Sequence, residues 1–220
     1  MRIVIAGGHG QIALRLERLL AGRGDQAVGI IRRAEQADDL RAVGGEPAVC
    51  DLESASAADV QRILEGADGA VFAAGAGPDS GAERKETVDL GACVLFADAA
   101  EAAGVRRFLV VSSIGADREP PPGTDPAFAA YLRAKKAADD NIRARAGLDW
   151  TILRPGGLTN EPGTGRVNLA EKTGRGTVPR DDVAGVLAAL LDEPRTARRV
   201  LELISGDMPI EEAVRKAAGG

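Results

Sequence analysis

The chain has 220 residues, 45% hydrophobic and 28% charged, with a formal net charge of -5. That length suits one large domain, and aromatics at only 3% leave the core to Ala, Val, Leu and Ile. The acidic balance argues against a nucleic-acid surface, no stretch approaches the roughly 20 apolar residues of a membrane span, and no leader pattern opens the chain, so a cytoplasmic protein without nucleic-acid or membrane partners is expected.

The first apolar run, 2–6, stops at Gly7-Gly8-His9-Gly10 and gives way to a helical pattern over 11–22. Gly7, Gly10 and Ala13 form G-x-x-G-x-x-A between a strand and a helix. In that context glycines permit a tight turn and let a pyrophosphate approach the backbone. The small third residue lets the helix pack on the sheet, and the helix start at Gln11 and Ile12 offers free N–H groups and a positive dipole end. His9, the only histidine, reads as a solvated loop residue within reach of a phosphate. The second strand, 26–31, ends at Arg32-Arg33, where NAD sites place Asp or Glu for the ribose hydroxyl. A guanidinium there suits a 2′-phosphate, so NADP is expected over NAD.

A short helix (35–43) leads to a strand over 46–50, which delivers Asp51 and Leu52 to the adenine end. After a helix at 56–65, the strand 69–74 carries Ala73 and Ala74 to Gly75, where backbone must pass close to the cofactor. Cys50 and Cys93 show neither C-x-x-C nor metal-ligand spacing, so both are expected to be buried, reduced thiols, with no metal site. A long helix at 82–103 precedes the strand 107–112, which ends at Ser112-Ser113. A helix over 127–146 then places Tyr131 and Lys135 four residues apart, on one face. Free tyrosine, with a pKa of about 10, is a sluggish acid–base at neutral pH, and a nearby ammonium favours its phenolate.

The remaining elements are a strand at 149–154, a helix at 181–191, a strand at 199–204 and a short helix after Pro209. Near-continuously apolar strands alternating with helices predict an α/β Rossmann-type, doubly wound parallel sheet with helices on both faces. One NAD(P)-binding domain spans 1–220, with Gly/Pro-rich substrate-rim elements from 115–126 and 155–220. The alanine-rich faces of the helices at 82–103 and 127–146 suit a homodimer interface and internal packing equally.

Read together, IAGGHGQIA, CDL, ETVDLGACVLFADAAEAAGVRRFLVVSSIGA, YLRAKKAADDNIRARAGLDWTILRPGGLT and VPRDDVAGVLAALLDEP resemble the atypical short-chain dehydrogenase/reductases. The likeness is to their compact NAD(P)-binding or epimerase/dehydratase-like group, related to the NmrA-like proteins, and it covers essentially the whole chain. The resemblance implies hydride transfer at nicotinamide C4. Tyr131 is then the proton donor or acceptor, and Lys135 binds the nicotinamide ribose and favours the phenolate. Ser113 holds the substrate oxygen, and Asp89 stands where the wider superfamily has Asn. Arg154, Pro155, Gly156 and Leu158 border the nicotinamide. Ala13 replaces the third glycine, and many members lack the Tyr/Lys pair that this chain keeps. The expected activity is NADP-dependent oxidation or reduction of a small-molecule carbonyl or alcohol substrate. The alternatives are an NADP-binding regulatory or sensor protein and a nucleotide-sugar epimerase or dehydratase.

Overall fold

The computed structural model describes residues 1–77 and 80–219, and a nine-stranded sheet forms its middle layer. In the first half, β1 (Arg2–Ala6), β2 (Gln26–Ile31), β3 (Glu46–Val49) and β4 (Gly69–Phe72) alternate with α1 (Gln11–Gly22), α2 (Ala37–Ala42) and α3 (Ala57–Leu64). Next comes a continuous helical segment of three stretches: α4 (Ala82–Arg84), a π-helical stretch (Lys85–Ala92) and α5 (Cys93–Ala102). β5 (Arg107–Val111), α6 (Pro126–Arg143) and β6 (Asp149–Pro155) follow. The last part holds β7 (Gly157–Thr159), β8 (Arg166–Ala170), β9 (Thr177–Pro179), α7 (Arg180–Leu191), β10 (Arg199–Ser205), β11 (Met208–Pro209) and α8 (Ile210–Ala217).

The strand order is β11-β8-β10-β6-β5-β4-β1-β2-β3, with β10 through β3 mutually parallel, β8 antiparallel to β10, and β11 at the far edge. The chain steps outward from β1 to β3, then returns to β4 on the other side of β1. That reversal opens a crevice at the carboxyl ends of β1 and β4, the place where doubly wound sheets bind ligands. The alternation of side chains along β1 divides the core. Ile3 and Ile5 face α1, α7 and α8, while Val4 and Ala6 face α3, α5 and α6. Ala97, Ala100 and Ala138 lie inside the second of these clusters.

Several boundaries differ from the sequence expectations. The helix expected to reach 146 ends at Arg143, and β4 stops at Phe72, leaving Ala73 and Ala74 in the crossing loop. β7, β8, β9 and β11 occupy stretches read as loops. Each is only two to five residues long and flanked by Gly or Pro, although β8 buries Val167 and Leu169 in alternation. Cys93 is buried, and burial pushes its thiol up to about 12. Cys50 corrects the expectation of burial: it lies just past the edge strand β3, where one flank has no neighbouring strand, and is half-exposed.

Glu17 is the unexpected feature of the core. It sits on the buried face of α1, fully inaccessible, and neither carboxylate oxygen has a hydrogen-bond partner among the described residues. Its room comes from two glycines. A Cβ on Gly29 would lie 2.4 Å from Glu17 Oε1, and one on Gly45 would lie 2.8 Å from Oε2. Burial pushes this carboxyl up to about 8.

Two stability predictions follow from this packing. Phe96 lies fully buried between Phe72 and Phe108, with ring centroids 6.3 and 5.6 Å away. Phe96→Ala should cost about 3–5 kcal/mol in urea unfolding through the cavity it leaves. For Glu17, the folded chain holds a proton between about pH 4.5 and about pH 8 that the unfolded chain releases. The contribution of Glu17 to stability is therefore fullest below about pH 4.5 and is lost as pH rises to about 8. Glu17→Gln should flatten that fall and gain on the order of a few kcal/mol at pH 8, read by urea melts at pH 5 and pH 8.

Candidate active site

The glycine turn has two separate duties. Gly7 adopts φ +79°, and a Cβ there would lie 2.6 Å from Ala74 Cα; one on Gly8 would lie 2.6 Å from Gly29 Cα. These two glycines let the turn press against the loop after β4 and against β2. Gly10 instead is extended, donates its N–H to the Gly7 carbonyl at 2.8 Å, and leaves α1 without a side-chain cap. The first-turn N–H groups of α1, from Gln11 and Ile12 onward, therefore face the crevice side with no capping side chain. Gln11 is exposed, and the Ile12 side chain packs on the core, so only their backbone serves this end. His9 is partly exposed, with Nε2 2.7 Å from Asp39 Oδ2.

A cleft of about 350 Å³ opens over this turn, lined by Gly7, His9, Gly10 and the Ala73–Gly77 backbone run. Its far end is walled by Arg32, Asp51, Leu52, Glu53 and Arg84. Glu53 stands between two guanidiniums, 3.8 Å from Arg32 and 2.8 Å from Arg84, and the Arg84 hydrogen bond holds its carboxyl below the usual carboxylate range. Arg33 does not line this cleft. Its chain has turned into the next helical turn, and its backbone N–H donates to Gln36 Oε1 at 3.1 Å. Asp51 Oδ1 accepts the Glu53 N–H at 3.1 Å within its own turn.

Two further cavities continue the cleft. One of about 490 Å³ shares Gly75, Ala76 and Gly77 with it and reaches Lys85, Asp89 and Tyr131. The next, about 680 Å³, shares Phe128, Tyr131 and Leu158 and reaches Ser113, Pro155 and Gly156. Tyr131 thus stands at the wall between the two deeper cavities. Its ring lies 5.8 Å from both Lys135 Nζ and Lys85 Nζ. Lys135 is buried, donates to the Val111 carbonyl at 3.1 Å and lies 3.1 Å from Asp89 Oδ1. Burial works against its charge, but Tyr131 and Asp89 outweigh burial and hold the ammonium above the ordinary lysine range. Asp89 is wholly buried, and its Oδ2 accepts the Ala76 N–H at 3.2 Å, tying the cofactor-side loop to the π-helical stretch. Lys85, from the same stretch, donates to the Gly77 carbonyl and is also buried.

The two serines diverge. Ser112 is buried and donates to Asp139 Oδ2 at 3.0 Å. Ser113 lines the largest of these three cavities, its hydroxyl donating, among the described residues, only to the adjacent Ile114 carbonyl at 3.2 Å. Behind them Arg154 donates through Nε and Nη2 to the same Asp139 oxygen at 2.9 and 2.8 Å. Burial lifts the Asp139 carboxyl above the usual range in spite of Arg154 and Ser112. This corrects the expectation for Arg154: its side chain turns inward to a buried carboxylate, and only Pro155, Gly156 and Leu158 reach the cavity. Lys85, Glu53 and Arg84 were not singled out from sequence. Their partners lie far away in the chain, and no local spacing marks them.

Comparison with known proteins places these observations in a family. The NAD(P)H-binding family matches residues 7–194. A Bacillus subtilis (strain 168) protein described as an uncharacterized sugar epimerase, YhfK, is 39% identical over 218 residues, covering 98% of this chain and 100% of that one. A solved Bacillus halodurans structure labelled an NAD-dependent epimerase/dehydratase superposes with a TM-score of 0.90 at 34% identity, covering 98% and 99% of the two chains. The oxidoreductase ylbE from Lactococcus lactis gives a TM-score of 0.87 at 26% identity, covering 100% and 98%. The chain belongs to the NAD(P)H-binding family of Rossmann-type α/β proteins.

Proposed function

We propose that this protein is an NADPH-dependent oxidoreductase that interconverts a small carbonyl compound and its alcohol, with Tyr131 as the proton donor or acceptor. The observation that carries this reading is the position of Tyr131, flanked by two buried lysines at the junction of two cavities. The oxidoreductase label of one structural relative points the same way.

The cleft residues fit a dinucleotide. The left-handed turn at Gly7, the uncapped start of α1 and the side-chain-poor run Ala73–Gly75 suit a pyrophosphate. Asp51 and Leu52 would border the adenine, and Pro155, Gly156 and Leu158 the nicotinamide. When bound, the dinucleotide supplies or accepts the hydride. Ser113 donates its hydroxyl hydrogen bond to the substrate oxygen, which draws charge away from the carbonyl carbon. Tyr131 then passes its phenolic proton to that oxygen as negative charge develops there. Lys135, fixed by the Val111 carbonyl and Asp89, keeps a positive charge beside the phenol and limits the cost of leaving a phenolate. Arg32 and Arg84 would clasp a 2′-phosphate in place of Glu53, which favours NADPH over NADH.

Two measurements test the reading. Tyr131→Phe should leave NADPH affinity unchanged, read by nucleotide fluorescence, and cut turnover by roughly 10²–10⁴-fold. Unchanged turnover would remove Tyr131 from the chemistry, and no turnover in either form would favour an NADP-binding sensor. Arg32→Ala should weaken NADPH by about tenfold and NADH far less, as expected for loss of a charge-assisted hydrogen bond. Equal losses for both nucleotides would reduce Arg32 to a source of general charge.

A further inference from the structure

The largest of the three cavities carries a feature that the reading above does not use. Three arginines from separate segments converge on its wall: Arg118 from the loop after β5, Arg175 from the turn before β9, and Arg180 from the start of α7. None has a carboxylate within ion-pair distance among the described residues. Arg118 and Arg175 make no side-chain hydrogen bond there, and Arg180 donates only to the neutral Asn160 Oδ1 at 2.8 Å. Elsewhere on the surface, Arg15, Arg23, Arg106 and Arg195 each hold an aspartate or glutamate; Arg18 and Arg133 hold none among the described residues, but neither lines one of the three cavities. One acid, Glu119, shares the rim and leaves it net positive.

Guanidiniums stay charged at any physiological pH, so converging three of them without matching acids raises the local positive potential. A protein with a net charge of -5 has acids to spare, yet this wall is basic. The same cavity also has an apolar lining that includes Ile114, Phe128, Leu132 and Leu158. The chain has six aromatic residues, and Phe72, Phe96, Phe108 and Trp150 are buried in the core. The remaining two, Phe128 and Tyr131, stack at 5.9 Å with an interplanar angle of 25° on this cavity. Phe128 is 50% exposed and Leu158 39% exposed, so an apolar surface stands open to solvent beside the arginines.

We infer that the substrate is an anion with an apolar body: a carbonyl compound whose carboxylate or phosphate is held by Arg118, Arg175 and Arg180 while its body lies on Phe128 and Leu158. The inference rests on the oxidoreductase reading for the word substrate, and on the cavity alone for the binding of such an anion. Guanidinium forks match both oxyanion types through paired N–H donors. The arginines are therefore specificity-determining residues, and they do not touch the proton transfer at Tyr131.

The test is calorimetric titration of the purified protein, with and without saturating NADP, using 2-naphthoate, 2-naphthyl phosphate and neutral 2-naphthamide. At least one anion should bind about tenfold tighter than the amide, the gain expected of one charge-assisted contact, and the tighter anion identifies the group. Arg175→Gln combined with Arg118→Gln should bring that anion to within about twofold of the amide, leaving naphthamide and NADPH affinities unchanged. Anions that bind no tighter than the amide, a preference that survives both substitutions, or no binding of any probe would each overturn the inference. No NADPH binding by the unaltered protein, with the anion preference intact, would instead overturn the cofactor reading and leave the anion site standing.

Discussion

The site depends on one buried ammonium. Lys135 enters the interior from α6 and is held between the Val111 carbonyl at the end of β5 and Asp89 on the π-helical stretch. A buried charge is tolerated only when it is paired and hydrogen-bonded, so three elements must keep their relative positions for the fold to persist. Asp89 extends the tie by accepting the Ala76 N–H, which fixes the loop between the dinucleotide cleft and the deeper cavities. The π-helical turn accompanies this arrangement, bringing Lys85 and Asp89 inward together, and such turns recur where a helix carries function.

A second polar system stands behind the first and explains why adjacent serines differ. Asp139, one helical turn beyond Lys135 on α6, gathers Ser112 and Arg154 onto one oxygen. That binds β5, α6 and β6 together below the cavity floor and takes Ser112 out of play. The strand-end twist then leaves Ser113 facing the open side. A buried carboxylate with two donors is costly to expose, so its energy works toward fixing where β5 ends and hence where Ser113 points.

Much of this was readable from sequence, and the misses share a cause. The glycine turn, the parallel core strands and the Tyr131–Lys135 pair are local patterns, each set by spacing within one or two elements. Glu53, Arg84 and Lys85 enter only through contacts between distant segments, so no window of sequence displays them. Arg33 illustrates the reverse error. Two adjacent arginines look equivalent, yet alternation past the end of β2 sends only Arg32 toward the cleft. β7, β8, β9 and β11 were missed: β7, β9 and β11 are two or three residues long and carry no periodicity of their own, and the alternation of β8 spans only five residues. They form by completing an edge that β10 already presents, or by pairing β7 with β9.

That late segment also separates the two halves of the site's logic. The cofactor side is built from β1 to β4 and their loops, where glycine geometry leaves almost no freedom: a Cβ at Gly7 or Gly8 would collide with backbone. The proposed substrate side draws Arg118, Arg175, Arg180 and Leu158 from loops, short strands and a helix start around the end of β6, where most of these side chains are exposed. At Gly156 the constraint returns, because a Cβ there would meet the Gly176 carbonyl oxygen at 2.3 Å. The Gly156–Gly176 contact pins the turn carrying Arg175 against the end of β6, and its neighbour Gly157 donates to the same carbonyl at 2.9 Å. In the proposed reading the basic wall of the cavity is thus held by the same chain segment that would border the nicotinamide, so anion binding and the seating of the cofactor would share one backbone contact.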